Sequence, residues 1–309
     1  MKTKLTYSLF LLMTACGGAV PVAVIPDDRQ VISVQSSSPA AIPSVGAIST
    51  VCMPPAAIGP DAQPIPSGVG TGSVSVGGLD RTYTFSVPVS RPDALPLIFV
   101  FSDDHGTGAQ IREALALEAP AEGRAIFVYP DGDPTALVAW DSTSAPDTNR
   151  DLLLFDVLLA KLKSQFCISS IFAAGYRRGA HFTNYLGCQR GDQLRAIAVE
   201  GGNFDDFNGE KSDDGVILCP TPAVSAFVID DAVTGGSWVG APDFKHWMNW
   251  NHPSDRGDYA TLPVDPPGCL AAQHEPPGHE VLGCFIVDLG DTIWPLQAQM
   301  VWDFFYSAN

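Results

Sequence analysis

Positive charge is scarce in this chain. Only 17 Lys and Arg stand against 34 Asp and Glu over 309 residues, a formal net charge of −17. That balance repels phosphate backbones and excludes nucleic acid as a partner. It also disfavours polyanionic substrates and bare anionic bilayers. Charged residues of both signs make up only 17%, while apolar residues reach 46%. The chain therefore reads as globular and not as disordered. Internal repeats are absent, and so is any C-x-x-C pair, which leaves neither a zinc ribbon nor a thioredoxin-type redox motif. Metal ligation has no support elsewhere. His274 and His279 are five apart with Pro276-Pro277-Gly278 between them, where a helical zinc motif needs a spacing of four on one face. The acidic stretch Asp205 to Glu210 does not match the ligand spacing of a calcium loop. No metal and no cofactor are expected.

The first residues read as an address. Lys2 and Lys4 precede an apolar run from Leu5 to Met13, the pattern of a secretory signal and too short for a bilayer span. The run ends Met13-Thr14-Ala15-Cys16-Gly17, which resembles a bacterial lipobox, with Met13 where Leu is usual. Residues 1–15 are thus expected to be removed as a lipoprotein signal peptide. Cys16 is expected to be lipidated and to make the membrane a partner through its anchor. Several acyl chains on one cysteine would meet the need for more than one hydrophobic signal in stable attachment. Gly17 in place of Asp favours the outer membrane if the host is Gram-negative. The expected location is exported and lipid-anchored to the cell envelope. Six cysteines remain, namely Cys52, Cys167, Cys188, Cys219, Cys269 and Cys284. An even number in an exported chain predicts disulfides, with connectivity open.

Residues 16–68 carry the lipidated cysteine and a Pro/Ala/Ser-rich tether, with Cys52 a candidate to pin its end to the domain. Residues 69–309 form the expected domain. Alternation from Val74 to Val87 around Gly77-Gly78 predicts a β-hairpin. Continuous apolar runs predict buried strands at 95–101, 125–129, 171–174, 196–199, 223–229 and 281–287. Helical stripes are predicted at 111–120, 149–166, 180–188, 243–251 and 296–306. Buried strands alternating with helices predict an α/β fold, a mostly parallel central sheet with helices on both faces.

The chemistry concentrates at Ala173-Ala174-Gly175-Tyr176-Arg177-Arg178-Gly179-Ala180. A strand, Gly-x-?-x-Gly and a helix make the frame of a nucleophile elbow. Gly175 and Gly179 supply the elbow frame. The central residue is Arg177, which is always protonated and cannot accept an acyl group. No other Gly-x-Ser-x-Gly lies in a strand-turn-helix frame.

At these residues the chain resembles the secreted polyhydroxybutyrate depolymerases and feruloyl esterases. The stretches that carry the likeness are Arg81-Thr82-Tyr83, Leu97 to Phe101, Phe127 to Gly132, Gly175 to Ala180, Trp247, Trp294-Pro295 and Val301 to Phe305. The resemblance implies an α/β-hydrolase fold and a Ser-His-acid triad. The triad positions are substituted. Arg177 stands at the serine and Asp291 at the histidine. Thr234 or Asp231 falls at the acid. The oxyanion-loop position is Ser102-Asp103, with His105-Gly106 three residues on. Nucleophile and base must touch for serine hydrolysis. Arg177 and Asp291, having opposite charge, are therefore expected to form an ion pair.

The implied reading is a degenerate esterase-like lipoprotein that lacks serine hydrolase activity and acts in binding or in a surface role. Its ligand would be a polymer, a glycan or a protein. Trp238, Trp247, Trp250, His246 and His252 are candidates to line a cleft, or to pack in the core. The alternative is an active carboxylic ester hydrolase, of polyester or feruloyl ester type, using a displaced constellation of Ser102, His105 or His181.

Overall fold

The structure, a computed structural model, describes residues 64–90, 94–202, 204, 217–222, 224–232, 242–251, 261–273, 275–290 and 292–309. The signal, Cys16, Cys52 and all but the last few residues of the tether lie outside the described residues. So do Thr234, Trp238, His252 and Asp291, and the side chain of Asp231. All described residues belong to one compact unit, Thr50–Asn309.

A ten-stranded sheet runs through this unit in the order β1-β2-β4-β3-β5-β6-β7-β10-β9-β8. The hairpin is β1 (Gly68–Val76) and β2 (Leu79–Val87), joined at Gly77-Gly78 as expected. The six central strands are parallel. They are β4 (Ile126–Pro130), β3 (Leu95–Phe101), β5 (Ile168–Tyr176), β6 (Ala196–Glu200), β7 (Ser225–Ala232) and β10 (Val281–Val287). Antiparallel strands close both ends. At the far end these are β9 (Cys269–Ala272) and β8 (Thr261–Val264).

Period-two alternation splits the strand side chains between two cores. In β3, Leu97, Phe99 and Phe101 face one core, and Ile98 and Val100 face the other. The first core is roofed by α3 (Arg150–Lys163), α4 (Arg178–Arg190) and α5 (Pro242–Asn251). The second lies under α1 (Gly108–Leu115), α2 (Glu118–Ala121) and α6 (Gln297–Ala308). Helices thus cover both faces. Asn149 starts α3 as its N-cap, its side chain accepting the N–H groups of Asp151 and Leu152.

One helix differs from expectation. The predicted stripe at 111–120 is broken, because Ala116 adopts a left-handed conformation at φ 48° and ends α1. Disulfides join Cys188 to Cys219 and Cys269 to Cys284. The first ties α4 to the loop before β7, and the second crosses the β9–β10 ladder. Cys167 is also disulfide-bonded.

A buried ion pair braces the hairpin against α3. Arg81 on β2 is 1% exposed and places Nη1 2.8 Å from Asp151 Oδ1, while its Nη2 donates to the Asp131 carbonyl at 2.9 Å. Burial pushes the Asp151 carboxyl up, and the Arg81 guanidinium opposes that rise. Removing one member leaves the other charged and buried. Arg81→Met should lower unfolding free energy by about 3–5 kcal/mol in urea titrations. Arg81→Met with Asp151→Leu should recover much of that loss.

Candidate active site

The turn between β5 and α4 has no room for side chains. A Cβ on Gly175 would lie 2.3 Å from the Gly179 carbonyl oxygen, and a Cβ on Gly179 would lie 2.2 Å from that of Phe101. These glycines let α4 start directly over the end of β3. Arg177 between them is driven to φ 50°, ψ −113°, a sparsely populated region for an L residue, costing about 1–3 kcal/mol. Its N–H donates to the Glu200 carbonyl at 2.8 Å, and its own carbonyl accepts the His181 N–H at 2.9 Å. The geometry is that of a nucleophile elbow, with an arginine at its apex.

The described carboxylate facing that guanidinium is Asp103. Arg177 Nη1 lies 3.4 Å from Asp103 Oδ2, with both side chains one-third exposed. A pair this exposed adds at most about 1 kcal/mol to stability. The guanidinium also lies over the Tyr176 ring, 5.4 Å from its centroid. Arg178, the next residue, places Nε 3.5 Å from Asp104 Oδ2. The expected Arg177–Asp291 pair involves a residue outside the described set. Asp231 sits in β7 opposite Ile286 of β10. Thr234 lies beyond the described part of that strand end.

The loop after β3 is firmly held. Trp140 Nε1 donates to the Ser102 carbonyl at 2.7 Å, and the Ala139 N–H donates to Asp104 Oδ1 at 2.8 Å. The Ser102 side chain is buried and its hydroxyl donates to the Gly106 carbonyl at 2.9 Å. His105 is exposed at φ 61°. It lines a cleft of about 300 Å³ with Asp80, Thr107, Asp131, Asp133 and Ala139. His246 and Trp247 are buried and pack with Phe204, so core packing, and not a cleft, accounts for them. Among the described residues no group of three His, Cys, Asp or Glu could hold a metal.

Glu200 has no signal in the sequence that marks it as part of the site. It ends β6 and pairs in register with Tyr176 beside the elbow. It is 1% exposed. Its Oε1 accepts the Trp294 N–H at 2.8 Å, and its Oε2 has no hydrogen-bond partner. Burial raises the carboxyl to about 7, against the lowering effect of the Trp294 N–H. It therefore fastens the segment around Trp294 that leads into α6.

No family model matches this chain. Curated relatives do. One is a "Probable feruloyl esterase C" of Aspergillus niger, 28% identical over 132 residues, 40% of this chain and 46% of the relative. Another is "Feruloyl esterase C" of Emericella nidulans, 31% identical over 99 residues, 31% of this chain and 34% of the relative. The chain thus spans less than half the length of either relative. Among solved structures, the acetyl xylan esterase from Aspergillus awamori superposes with a TM-score of 0.58 at 13% identity, over 77% of this chain and 99% of that one. The chain has an α/β-hydrolase fold.

On that fold the strand-elbow-helix turn carries a cation, Arg177, at its apex. The Glu200 carboxyl gives this hydrolase fold a titration to measure. Its folded pKa of about 7 lies above the ordinary 4.5. Between those values the native state holds more protons than the unfolded chain, so stability falls as pH rises through the window. Glu200→Gln keeps an acceptor for Trp294 and removes the charge. It should match the parent near pH 5 and be more stable at pH 8, by at most about 3 kcal/mol. Urea midpoints at the two pH values check this, and an equal difference at both would contradict it.

Proposed function

We propose that the chain is an exported lipoprotein whose esterase-like domain has lost serine hydrolysis and serves binding or a surface role at the cell envelope. The observation that carries this reading is Arg177 at the strained apex, φ 50° and ψ −113°. A guanidinium carries no nucleophilic oxygen or sulfur and stays protonated at every working pH. The displaced constellation gains nothing from the loop after β3. The one hydroxyl proton of Ser102 is given to the Gly106 carbonyl, so it is not directed at a histidine, as an activated serine requires. The ligand would be a polymer, a glycan or a protein, reached from an anchor at Cys16. The lipobox-like Thr14-Ala15-Cys16-Gly17 supports that anchor. No described helix is long and apolar enough to cross a membrane.

Two experiments test these claims separately. The purified full chain should hydrolyse p-nitrophenyl acetate no faster than buffer. Turnover that survives changes at both Arg177 and Asp291 would establish the active-hydrolase alternative. Cells expressing the full chain should incorporate labelled fatty acid into it. Cys16→Ser should abolish the label and move the protein from the membrane to the soluble fraction.

A further inference from the structure

Loss of a nucleophile need not close a hydrolase pocket, because the oxyanion hole is built from backbone and survives substitution of the triad. In an α/β-hydrolase the hole comprises the N–H of the residue after the nucleophile and an N–H from the loop after an early strand. Arg178 follows the elbow residue, and Asp104 lies on the loop after β3. Both backbone N–H groups donate to a single oxygen of this chain, Asp103 Oδ1, from Arg178 at 3.3 Å and from Asp104 at 2.7 Å. The other oxygen of the same carboxylate faces Arg177 Nη1 at 3.4 Å.

We propose that Asp103 is an internal plug, its Oδ1 filling the oxyanion hole and its Oδ2 holding the cation at the elbow apex. A carboxylate oxygen offers the two N–H donors the charge and acceptor capacity that a tetrahedral oxyanion would offer. It is covalently attached beside its site, so an incoming carbonyl competes with a group that has lost no translational freedom. The plug also sits on rigid supports. The Ser102 carbonyl is held by Trp140, and Asp104 is held by Ala139 N–H and by Arg178. The inference rests on position 177 being the elbow, and adds that the pocket is blocked independently of what side chain stands there. Restoring serine at 177 alone would leave the hole occupied.

The test puts a reporter at the apex of the full-length chain. Arg177→Cys places a thiol on the elbow and leaves both backbone donors to Asp103. The five described native cysteines are disulfide-bonded. Peptide-resolved mass spectrometry then reads alkylation at position 177 by iodoacetate and by iodoacetamide. With Asp103 in place, its charge repels both the thiolate and the anionic reagent. Adding Asp103→Ala should raise the iodoacetate-to-iodoacetamide rate ratio by about tenfold, the scale of one like charge removed within about 5 Å of the reacting centre. Asp103→Asn removes the charge while keeping the oxygen. It should shift the ratio in the same direction and carries the test if the alanine variant misfolds. Asp104→Asn, one residue along, should change the ratio less than about twofold, since its carboxylate faces Arg178 and not the apex. An unchanged ratio on loss of Asp103, or an equal rise on Asp104→Asn, overturns the plug. Ester turnover by the unmodified chain would remove the reading of lost hydrolysis and leave this ratio as a separate outcome.

Discussion

Everything at the candidate site follows from a lack of space. Gly175 and Gly179 lie where a Cβ would meet backbone oxygens at 2.3 and 2.2 Å. Two parallel strands and the start of α4 come together there at backbone contact distance. Any residue between the glycines is forced into the same strained turn and projected over the carboxyl ends of the strands. The geometry of an elbow is therefore a property of the packing and not of the residue at its apex. Strain of this kind is usually held in place because the surroundings over-determine it. In this chain the surroundings persist around an arginine.

A cation stands at the apex of the elbow. A working elbow presents donors to developing negative charge and leaves that place open for substrate. Here the donors and the guanidinium converge on Asp103, a residue of the chain itself. A second carboxyl, Glu200, lies beside the elbow out of water and fastens the segment at Trp294. Catalytic groups in hydrolases are tuned by similar means, burial and nearby charge. The same means here raise the buried carboxyl of Glu200 and pair the Asp103 carboxylate with Arg177.

Much of this was legible in the sequence. The six parallel strands could be read because burial on both faces makes them continuous apolar runs, as in Leu95 to Phe101. The elbow could be read from two glycines four apart between a strand and a helix. Other features were not legible, for identifiable reasons. Strands β8 and β9 have four residues each, and Pro263 within β8 argues against a strand on sequence grounds. The end of α1 depends on the left-handed Ala116, which no local signal marks. Asp103 was identified as part of the oxyanion loop, but its pairing with Arg177 bridges 74 positions and no pattern of spacing encodes it. Glu200 ends an apolar strand, where an acidic residue ordinarily turns to solvent. Only the packing of the Trp294 segment over it reveals a buried carboxyl.

On the proposed function, the elbow frame stands without an activated nucleophile. The most direct measurement is intact-mass analysis of the full chain after prolonged exposure to a fluorophosphonate, which phosphonylates serines only where a base has activated them. The account predicts no adduct on the native protein. A stoichiometric adduct on any serine would contradict it.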